Sequence, residues 1–557
     1  MKKEKNMKKI VSLLVMGCSF SAAWAQLDNT VEVTNEVKPV VTDVKKVNVQ
    51  TKVAETPVKH YTMQYAVQSQ PLSTFAPEPL GNYSSDAVLK GNKRGYLHLG
   101  AGNQGRLDAQ FDYQLDFTDV DALNIDFTLK GHSGHVADNK YYGPAGRKAR
   151  DYQNFTQLKY NHRFDNGADF YVKGQFENRV FNYLPRGGHD KQHDVLAGFT
   201  AGLTPYRFGQ LTVEAAAGVD FFSQNHKTNL SDNLGETYFH VDGTATYKMA
   251  DQHSLGLGLQ FVNTSYGNRE LDGITRLRLA PHYIYNTDLF NLQLGVFVST
   301  KGNVAPDVAF AYHLNPKSDV YVEARGYETD NTFRFLSNLH PYFIFTNAMV
   351  GTMGTYKMEA EFHQIDVRAG YRFNSANGFS GNIFAGYDYS KDAADTDWIT
   401  NAVNGLYYPI IDFPRTRRFY VNADFAYAYK DVVKIDARNR LNFESCEEND
   451  EWISGSYTSP ILGMLWTADF KLVKDLYLGL NWEYAVYSTP EIDVIPGPAY
   501  DRPTTVNLGA SLRYTLPVTL PLSVFVKGDN LLNKNYDRYF GYRSWGTTFL
   551  AGFALSF

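Results

Sequence analysis

The strongest constraint in this sequence is an alternation of apolar and polar residues with a period of two, which recurs from about residue 93 to the end. In residues 476–487, leucine, tryptophan, tyrosine and valine occupy the even positions, whereas glycine, asparagine and glutamate are among the residues at the odd positions. Residues 107–117 and the last run, which ends at Phe557, show the same pattern. A period of two is typical of a β-strand with one apolar face. We therefore expect an all-β fold.

The length and spacing of these runs favour a membrane barrel over a soluble sandwich. The runs are about ten residues long, the length with which a tilted strand crosses a bilayer, and many end in aromatic residues, as an interfacial girdle requires. The turns at 164–167, 248–251, 315–318 and 473–475 are short, whereas most intervening connections are longer and polar. No apolar run of helical membrane-spanning length follows the first 25 residues. The pattern predicts a transmembrane antiparallel up-and-down β-barrel over residues 93–557.

Counting the runs gives 22 strands, and an even number places both ends of the barrel on the periplasmic side. Pro281, within the tenth run, predicts a bulge. The runs begin near residues 95, 106, 121, 151, 168, 193, 211, 236, 252, 274, 290, 305, 319, 362, 378, 416, 432, 461, 476, 504, 522 and 547.

The residues before the barrel indicate export. Residues 1–25 combine five lysines, an apolar stretch and an Ala-Trp-Ala site before Gln26, which is typical of a cleaved signal peptide. Cys18 stands in a loose lipobox, so a lipid-modified N-terminus is the alternative. Residues 26–92 contain several prolines and no sustained period, which predicts an extended periplasmic segment. After cleavage at residue 25 only Cys446 would remain, so we expect no internal disulfide.

The last part of the chain resembles TonB-dependent outer-membrane receptors. The resemblance is carried by residues 529–536, Asp-Asn-Leu-Leu-Asn-Lys-Asn-Tyr, by Gly541 and Tyr542, and by a final strand that ends at Phe557. It implies a barrel in the outer membrane of a Gram-negative cell, in contact with its lipid. It also implies that Phe557 serves as the signal that the barrel-assembly machinery recognises.

The sequence departs from that family before residue 93. Those receptors carry a plug of more than a hundred residues, but residues 26–92 are too few for one and lack its glycine-rich pattern. The alternation at Thr30–Thr34 is only a weak match for a TonB-contacting box, so a TonB contact is doubtful. We therefore expect the barrel part of such a receptor without a recognisable plug.

Charged residues on the polar faces of the runs are the candidate functional residues. A lipid-facing surface accepts charge only at a high cost, so these side chains are expected to line the lumen. They form either a polar translocation path or a network of paired charges that fills the barrel. The predicted lumen-lining residues are Asp108, Asp112, Asp116, Lys173, Glu214, Arg368, Arg372, Arg513 and Lys527.

No catalytic site, metal site or cofactor is predicted. The His132/His135 and His189/His193 pairs offer too few ligands for zinc and are interpreted as exposed loop histidines. Residues 444–451 are interpreted as an acidic, solvated loop rather than a cation site. The formal charge of −5 speaks against nucleic acid as a partner.

The longest predicted loop, Asn331–Met358, is unusually rich in phenylalanine and leucine. It could fold inward as a constriction, dock a partner or pack upon itself. The first functional hypothesis is therefore transport or capture of a solute across the outer membrane. The second is a structural or accessory subunit, without transport, that assists an outer-membrane protein or a surface lipoprotein.

Overall fold

The computed structural model contains one described helix and 27 strands, most of them in a single sheet. No helix among the described residues is long and apolar enough to cross a membrane. The structure describes residues 94–136, 148–182, 191–225, 233–267, 271–343, 358–375, 377–400, 407–448, 451–455, 459–487, 502–539 and 542–557.

The strands and the helix follow one another along the chain in this order. The bounds are β1 Gly95–Gly102, β2 Leu107–Asp116, β3 Asp121–His135, β4 Lys148–Arg163, β5 Asp169–Asn182, β6 Lys191–Phe208, β7 Leu211–Asn225, β8 Leu234–Lys248, β9 His253–Tyr266, β10 Ile274–Asn286, β11 Phe290–Ser299, β12 Val304–Asn315, β13 Ser318–Thr329, α1 Phe333–Leu339, β14 Glu361–Asn374, β15 Phe379–Lys391, β16 Asp395–Thr400, β17 Tyr407–Asp412, β18 Arg415–Tyr429, β19 Val433–Glu448, β20 Glu451–Ser454, β21 Leu462–Val473, β22 Leu476–Val486, β23 Thr505–Thr515, β24 Leu522–Asp529, β25 Asp537–Tyr539, β26 Tyr542–Arg543 and β27 Thr548–Ser556.

Twenty-two of these strands form a closed antiparallel barrel, as the sequence predicted. Each barrel strand pairs with the next one along the ring, and β27 pairs with β1 to close it. Strands β16 and β17, and β25 and β26, form separate hairpins, while the four-residue β20 pairs with the end of β19. Every barrel strand begins within three residues of its predicted start. The ring therefore has no free edge strand.

Connections at the two ends of the barrel differ in length. At one end, here called the short-turn end, every connection has six residues or fewer, and the longest runs from residue 516 to residue 521. At the other, the long-loop end, residues 330–360 form the longest connection. The barrel begins and finishes at the short-turn end, where the Gly95 N–H donates to the Phe557 carbonyl and the Phe557 N–H to the Gly95 carbonyl, both at 2.9 Å.

The two faces of the barrel wall have opposite character. Exposed apolar side chains project outward; Phe199, Phe221 and Leu257, for example, are 53%, 53% and 41% exposed. Residues on the alternate positions of the same strands, such as Thr200 and Asp220, project inward, and the pairing register keeps these two sets apart around the ring. An apolar outer face and a polar inner face are what a barrel in lipid requires.

Strand length varies around the ring. Strands β3–β9 have 14 to 18 residues, and we call them the tall wall. Strands β22–β24, β27, β1 and β2 have 8 to 11 residues, and we call them the low seam. The tall wall therefore extends well beyond the outer apolar belt at the long-loop end.

Two local expectations were wrong. Pro281 causes no bulge. The β10–β11 ladder lacks the pairs of Ala280 and Pro281 and resumes at His282 in the same register. Because proline has no backbone N–H, it removes a hydrogen bond from the ladder without shifting the pairing of the residues that follow. The acidic residues from 444 onward do not begin a loop, since β19 runs to Glu448 and pairs with β18 and β20. The Arg415 Nη1 to Glu447 Oε2 distance of 3.0 Å helps to hold that extension.

Candidate functional site: the interior of the barrel

All nine sequence-predicted residues lie on the same face of the sheet, opposite the exposed apolar side chains. On β2, Asp108, Asp112 and Asp116 occupy even-numbered positions and therefore share one face. Leu107, which is 40% exposed, occupies the opposite face. The same parity continues around the ring through the paired positions of each following strand. That this face forms a route for a solute is taken up as a proposal below.

Several of these residues are paired with opposite charges. Lys527 Nζ lies 3.5 Å from Asp108 Oδ2, and His98 Nε2 lies at the same distance from that oxygen. Arg368 donates to Glu323 at 2.6 Å and Arg372 to Asp319 at 2.5 Å. Both arginines stand directly opposite their carboxylates on β13, which is the geometry of cross-strand pairs.

The remaining predicted residues have less complete partnerships. Arg94 contacts Asp116 at 3.6 Å, and the Gln110 amide donates to Asp112 at 2.6 Å. The Arg513 guanidinium lies over the ring of Tyr477, 4.8 Å from its centre. Lys173 faces Lys159 across β4 and β5, so two like charges stand side by side, and Glu214 lies on the same face of β7.

The apolar loop after β13 folds inward over its described part. Its helix α1 begins after Thr332, whose hydroxyl accepts from the Phe335 N–H and so caps the first turn. The buried side chains of the loop pack against one another and against apolar residues of the wall, so residues 331–343 lie against the inner face of the barrel. This cluster comprises Leu196, Phe222, Leu234, Leu271, Phe333, Leu336, Leu339, Phe343, Met358 and Ile411.

Polar side chains of the tall wall also hold this loop, which we call the inner loop (residues 330–343). Arg334 contacts Glu177 at 2.8 Å and Asp220 at 3.4 Å. The Ser337 hydroxyl donates to Asp194 at 2.7 Å. At the loop's start, Arg278 Nη1 donates to Asp330 at 3.0 Å. These contacts attach the loop to three strands of the tall wall, β5, β6 and β7, and to the neighbouring strand β10.

Two buried carboxylates lie beneath the inner loop. The Glu236 carboxylate accepts from the Phe333 N–H at 2.6 Å, and the Asp194 carboxylate accepts from the Ser337 hydroxyl at 2.7 Å. These carboxylates therefore hold helix α1 to the wall at Phe333 and at Ser337.

A second loop meets the inner loop across the interior. The ring of Tyr342 stacks on that of Tyr542, with centroids 3.9 Å apart and planes 5° apart. His340 lies 5.7 Å from Tyr539, on the same hairpin as Tyr542. The C-terminal hairpin (β25 and β26) lies between β24 and β27, whereas the inner loop follows β13, so their contact, which we call the bridge, joins two loops that are far apart in sequence.

The Asn-Leu-Leu-Asn motif builds the base of that hairpin. Asn530 and Asn533 have φ values of 49° and 48°, in the left-handed region that asparagine tolerates. The Asn530 side chain accepts from the Lys534 N–H and donates to the Lys534 and Trp545 carbonyls, and Asn533 accepts from the Thr547 N–H. The motif therefore ties both strands of the loop together.

The histidine pairs were interpreted as exposed loop residues, which was wrong for His132 and His135 in β3 and for His193 in β6. Among the described residues no group of three or more histidine, cysteine, aspartate or glutamate side chains could hold a metal ion. His132 stacks on Trp545 with centroids 4.6 Å apart, and His193 lies in β6, whereas His189 lies outside the described residues.

Phe557, the predicted assembly signal, contacts Tyr113, with ring centroids 6.1 Å apart.

The residues that receive the inner loop were missed at the sequence level. Leu196, Phe222 and Leu234 are apolar residues at inward positions of β6, β7 and β8, where the alternation calls for polar ones. Leu196 pairs with Phe222, and Leu234 pairs with Gln224, two residues further along β7, so three neighbouring exceptions indicate that something apolar covers them. The signal was therefore present as a set of breaks in the alternation.

Together, the closed ring, the apolar outer face and the polar interior define a 22-stranded barrel of the outer-membrane type. No protein-family model matches the chain, and no curated protein matches it in sequence. Among solved structures, the chain is similar to the ferric-catecholate import receptor Fiu of Escherichia coli K12, at 9% identity and a TM-score of 0.60, covering 84% of this chain and 82% of that one.

Two further structures show the same likeness. The FrpB iron transporter of Neisseria meningitidis (F3-3 variant) aligns at 11% identity with a TM-score of 0.63, over 84% of this chain and 82% of its own. The copper transporter OprC aligns at 12% identity with a TM-score of 0.58, over 86% and 81%. The resemblance to TonB-dependent receptors is thus confirmed for the barrel fold.

Proposed function

We propose that this protein lies in the outer membrane of a Gram-negative cell and transports or captures a solute. The observation that carries the proposal is the fold, shared with proteins named as iron, ferric-catecholate and copper transporters. A closed ring with an apolar exterior and a charged interior suits a polar passage through lipid. Residues 1–25 would be removed as a signal peptide, residues 26–92 and both barrel ends would lie in the periplasm, and Phe557 would serve barrel assembly.

Selectivity in this proposal comes from the inward charges. Among the described residues, Asp112, Lys173 and Glu214 make no close ion pair of the kind that Arg368 and Arg372 make, so their fields reach further into the interior. A solute passing the inner loop would meet these side chains at the short-turn half of the barrel. The protein would act without catalysis, and the sequence gives little support for a TonB contact.

The contact between the inner loop and the C-terminal hairpin favours a second candidate. Tyr342 and Tyr542 are 5% and 2% exposed, so this bridge is tightly packed. If the bridge never opens, the barrel would be a non-transporting accessory subunit of an outer-membrane complex, with a surface lipoprotein as its expected partner.

Conductance in planar lipid bilayers separates the two candidates. We expect the full chain to give a small, charge-selective conductance. The variant Phe333→Asp/Leu336→Asp undocks the inner loop and should give a larger conductance. Lys301→Ala, in an exposed turn at the same end, is the matched control and should behave as the native chain. Heat-modifiable migration on gels verifies that each variant keeps its barrel. If neither the native protein nor the undocked variant conducts ions, the transport proposal is contradicted and the accessory-subunit proposal is supported.

A further inference from the structure

Two lysines stand side by side on the inward face of the tall wall, in the short-turn half of the barrel. Lys159 of β4 pairs directly with Lys173 of β5, and such cross-strand partners have Cβ atoms about 5 Å apart. Like charges directly opposite each other destabilise a sheet, because each ammonium group repels the other. The stability of the ring therefore does not explain why both residues are lysine.

Neither ammonium group is neutralised by a carboxylate. Among the described residues, Lys173 makes no ion pair, hydrogen bond or ring contact, and Lys159 makes no ion pair or hydrogen bond. The register places Asn124 of β3 beside Lys159 and Thr200 of β6 beside Lys173, so the direct cross-strand neighbours of the lysines are uncharged. Both positive charges therefore face the interior uncompensated.

The carboxylates on the same face of the wall are held by other groups. Asp126 accepts from the Gln157 amide at 3.1 Å, and Asp169 contacts Arg163 at 3.0 Å. Glu214 lies on β7, two strands away from β5. Within the described part of the chain, none of these three carboxylates makes an ion pair with either lysine.

The ring of Tyr171 forms a floor beside the lysines. The Lys159 ammonium lies 4.8 Å from the centre of this ring, in a cation–π contact. A Cβ on Gly202, which pairs with Tyr171, would lie 2.5 Å from the tyrosine hydroxyl oxygen, so the glycine allows the ring to lie across β6. This contact positions Lys159 without neutralising its charge. We call Lys159, Lys173 and Tyr171 the dilysine site.

A recess with a volume of about 710 Å³ extends from the short-turn end to Lys159, a size that suits a small ligand. Asn124 and Asn161 line it beside Lys159, and their amide groups add hydrogen-bond donors. The uncompensated positive charge therefore lies at the inner end of the recess. Four aspartates also line it: Asp116 and Asp169, which contact arginines at 3.6 Å and 3.0 Å, Asp121, which contacts His162 at 2.8 Å, and Asp119 in the β2–β3 turn.

The chemistry of the dilysine site matches a small anion with more than one negative charge. An ammonium group is a compact point charge that binds carboxylate and phosphate oxygens alike. An anion placed between two such groups attracts both and also offsets their mutual repulsion. The Thr200 hydroxyl and the Asn124 amide, on the strands that flank the lysines, can donate to its remaining oxygens.

We propose that the dilysine site binds a solute that carries at least two carboxylate or phosphate groups. This inference deepens the function proposed above and rests on it, because it names the class of solute that the barrel transports or captures. The solute would reach the lysines through the recess, and Tyr171 would hold Lys159 in position to meet it.

Anion binding by the purified full chain, measured by titration calorimetry, tests this proposal. The probes are citrate and pyrophosphate, which carry the two kinds of anionic group, and sucrose is the uncharged control. The variant Lys159→Gln/Lys173→Gln removes both charges but keeps polar side chains. Lys434→Gln is the matched control, because Lys434 also faces the interior near the short-turn end but lies 3.4 Å from Asp436.

We expect the native chain to bind citrate, pyrophosphate or both, and the double variant to bind them at least about tenfold more weakly. Lys434→Gln should bind as the native chain does, and rising KCl should weaken binding because it screens the charges. The temperature of heat-modifiable migration should be unchanged or higher in the double variant, since a repulsion is removed. A lower temperature would show that the lysines stabilise the ring and would overturn the proposal. Equal anion binding by the native chain and the double variant, or no binding by the native chain, would also overturn it.

Bilayer conductance separates this inference from the transport proposal. If the native chain conducts ions but the double variant binds both anions as the native chain does, transport stands and the dilysine site is refuted. If the lysines bind the anions but neither the native chain nor the undocked variant conducts, transport is refuted. The dilysine site then stands as a site of solute capture.

Discussion

The tall wall and the low seam are built from the same kind of alternating strand but are stabilised in different ways. On the low seam, inward charges neutralise one another: Arg106, in the turn between β1 and β2, contacts Asp529, the last residue of β24, at 2.6 Å. On the tall wall, longer strands interrupt the polar inner face with Leu196 and Phe222 and receive the inner loop. The seam is therefore held by backbone pairing and ion pairs, whereas the upper tall wall is held by apolar packing.

This difference shows that extra strand length creates a docking surface rather than a larger membrane span. The outer apolar belt ends at Phe221 and Phe239, but β7 and β8 continue beyond it. Their additional residues face the inner loop on one side and the surroundings on the other. The two regions should therefore respond differently to substitution.

The largest expected effect is on the tall wall. Phe333→Asp/Leu336→Asp removes two buried apolar side chains and places two carboxylates in an apolar cluster. We expect this double substitution to reduce the free energy of docking of the inner loop by more than about 5 kcal/mol. We expect residues 330–343 to become open to limited proteolysis. The temperature of heat-modifiable migration should stay unchanged, because the ring does not depend on the loop; a large fall would contradict the separation of the two regions.

The low seam should show the opposite behaviour. Arg106→Ala leaves the half-buried Asp529 carboxylate without its partner at 2.6 Å and should cost about 1.5 to 3 kcal/mol, lowering the temperature at which the barrel loses its compact migration. The inner loop should remain protected from protease. Arg163→Ala is the control: its pair with Asp169 at 3.0 Å involves an arginine side chain that is 65% exposed, so about 1 kcal/mol or less is expected.

The smallest expected effect lies where the two regions meet. Tyr342→Leu and Tyr542→Leu remove the stacked pair that links the inner loop to the C-terminal hairpin. A double-mutant cycle, read from the rate of inner-loop proteolysis, should give a coupling of about 1 kcal/mol. Additive effects would mean that the inner loop and hairpin merely touch.

The fold followed from the sequence more completely than the interior did. Strand positions depend on local alternation, so even the runs near Val304 and Val433 emerged within a residue. The inward face of the nine candidate residues follows from the same alternation. The inner loop's position does not, because it depends on contacts such as Arg334 with Glu177, which lie 157 positions apart.

Closure of the ring has a consequence for biogenesis. The partners of β1 are β2, which follows at once, and β27, which lies farther along the chain than any other described strand. Arg106 and Thr548, which meet at 2.8 Å in this region, are separated by 442 positions. One edge of β1 must therefore stay unpaired, and the wall must be shielded from other chains, until the nine residues of β27 close the ring.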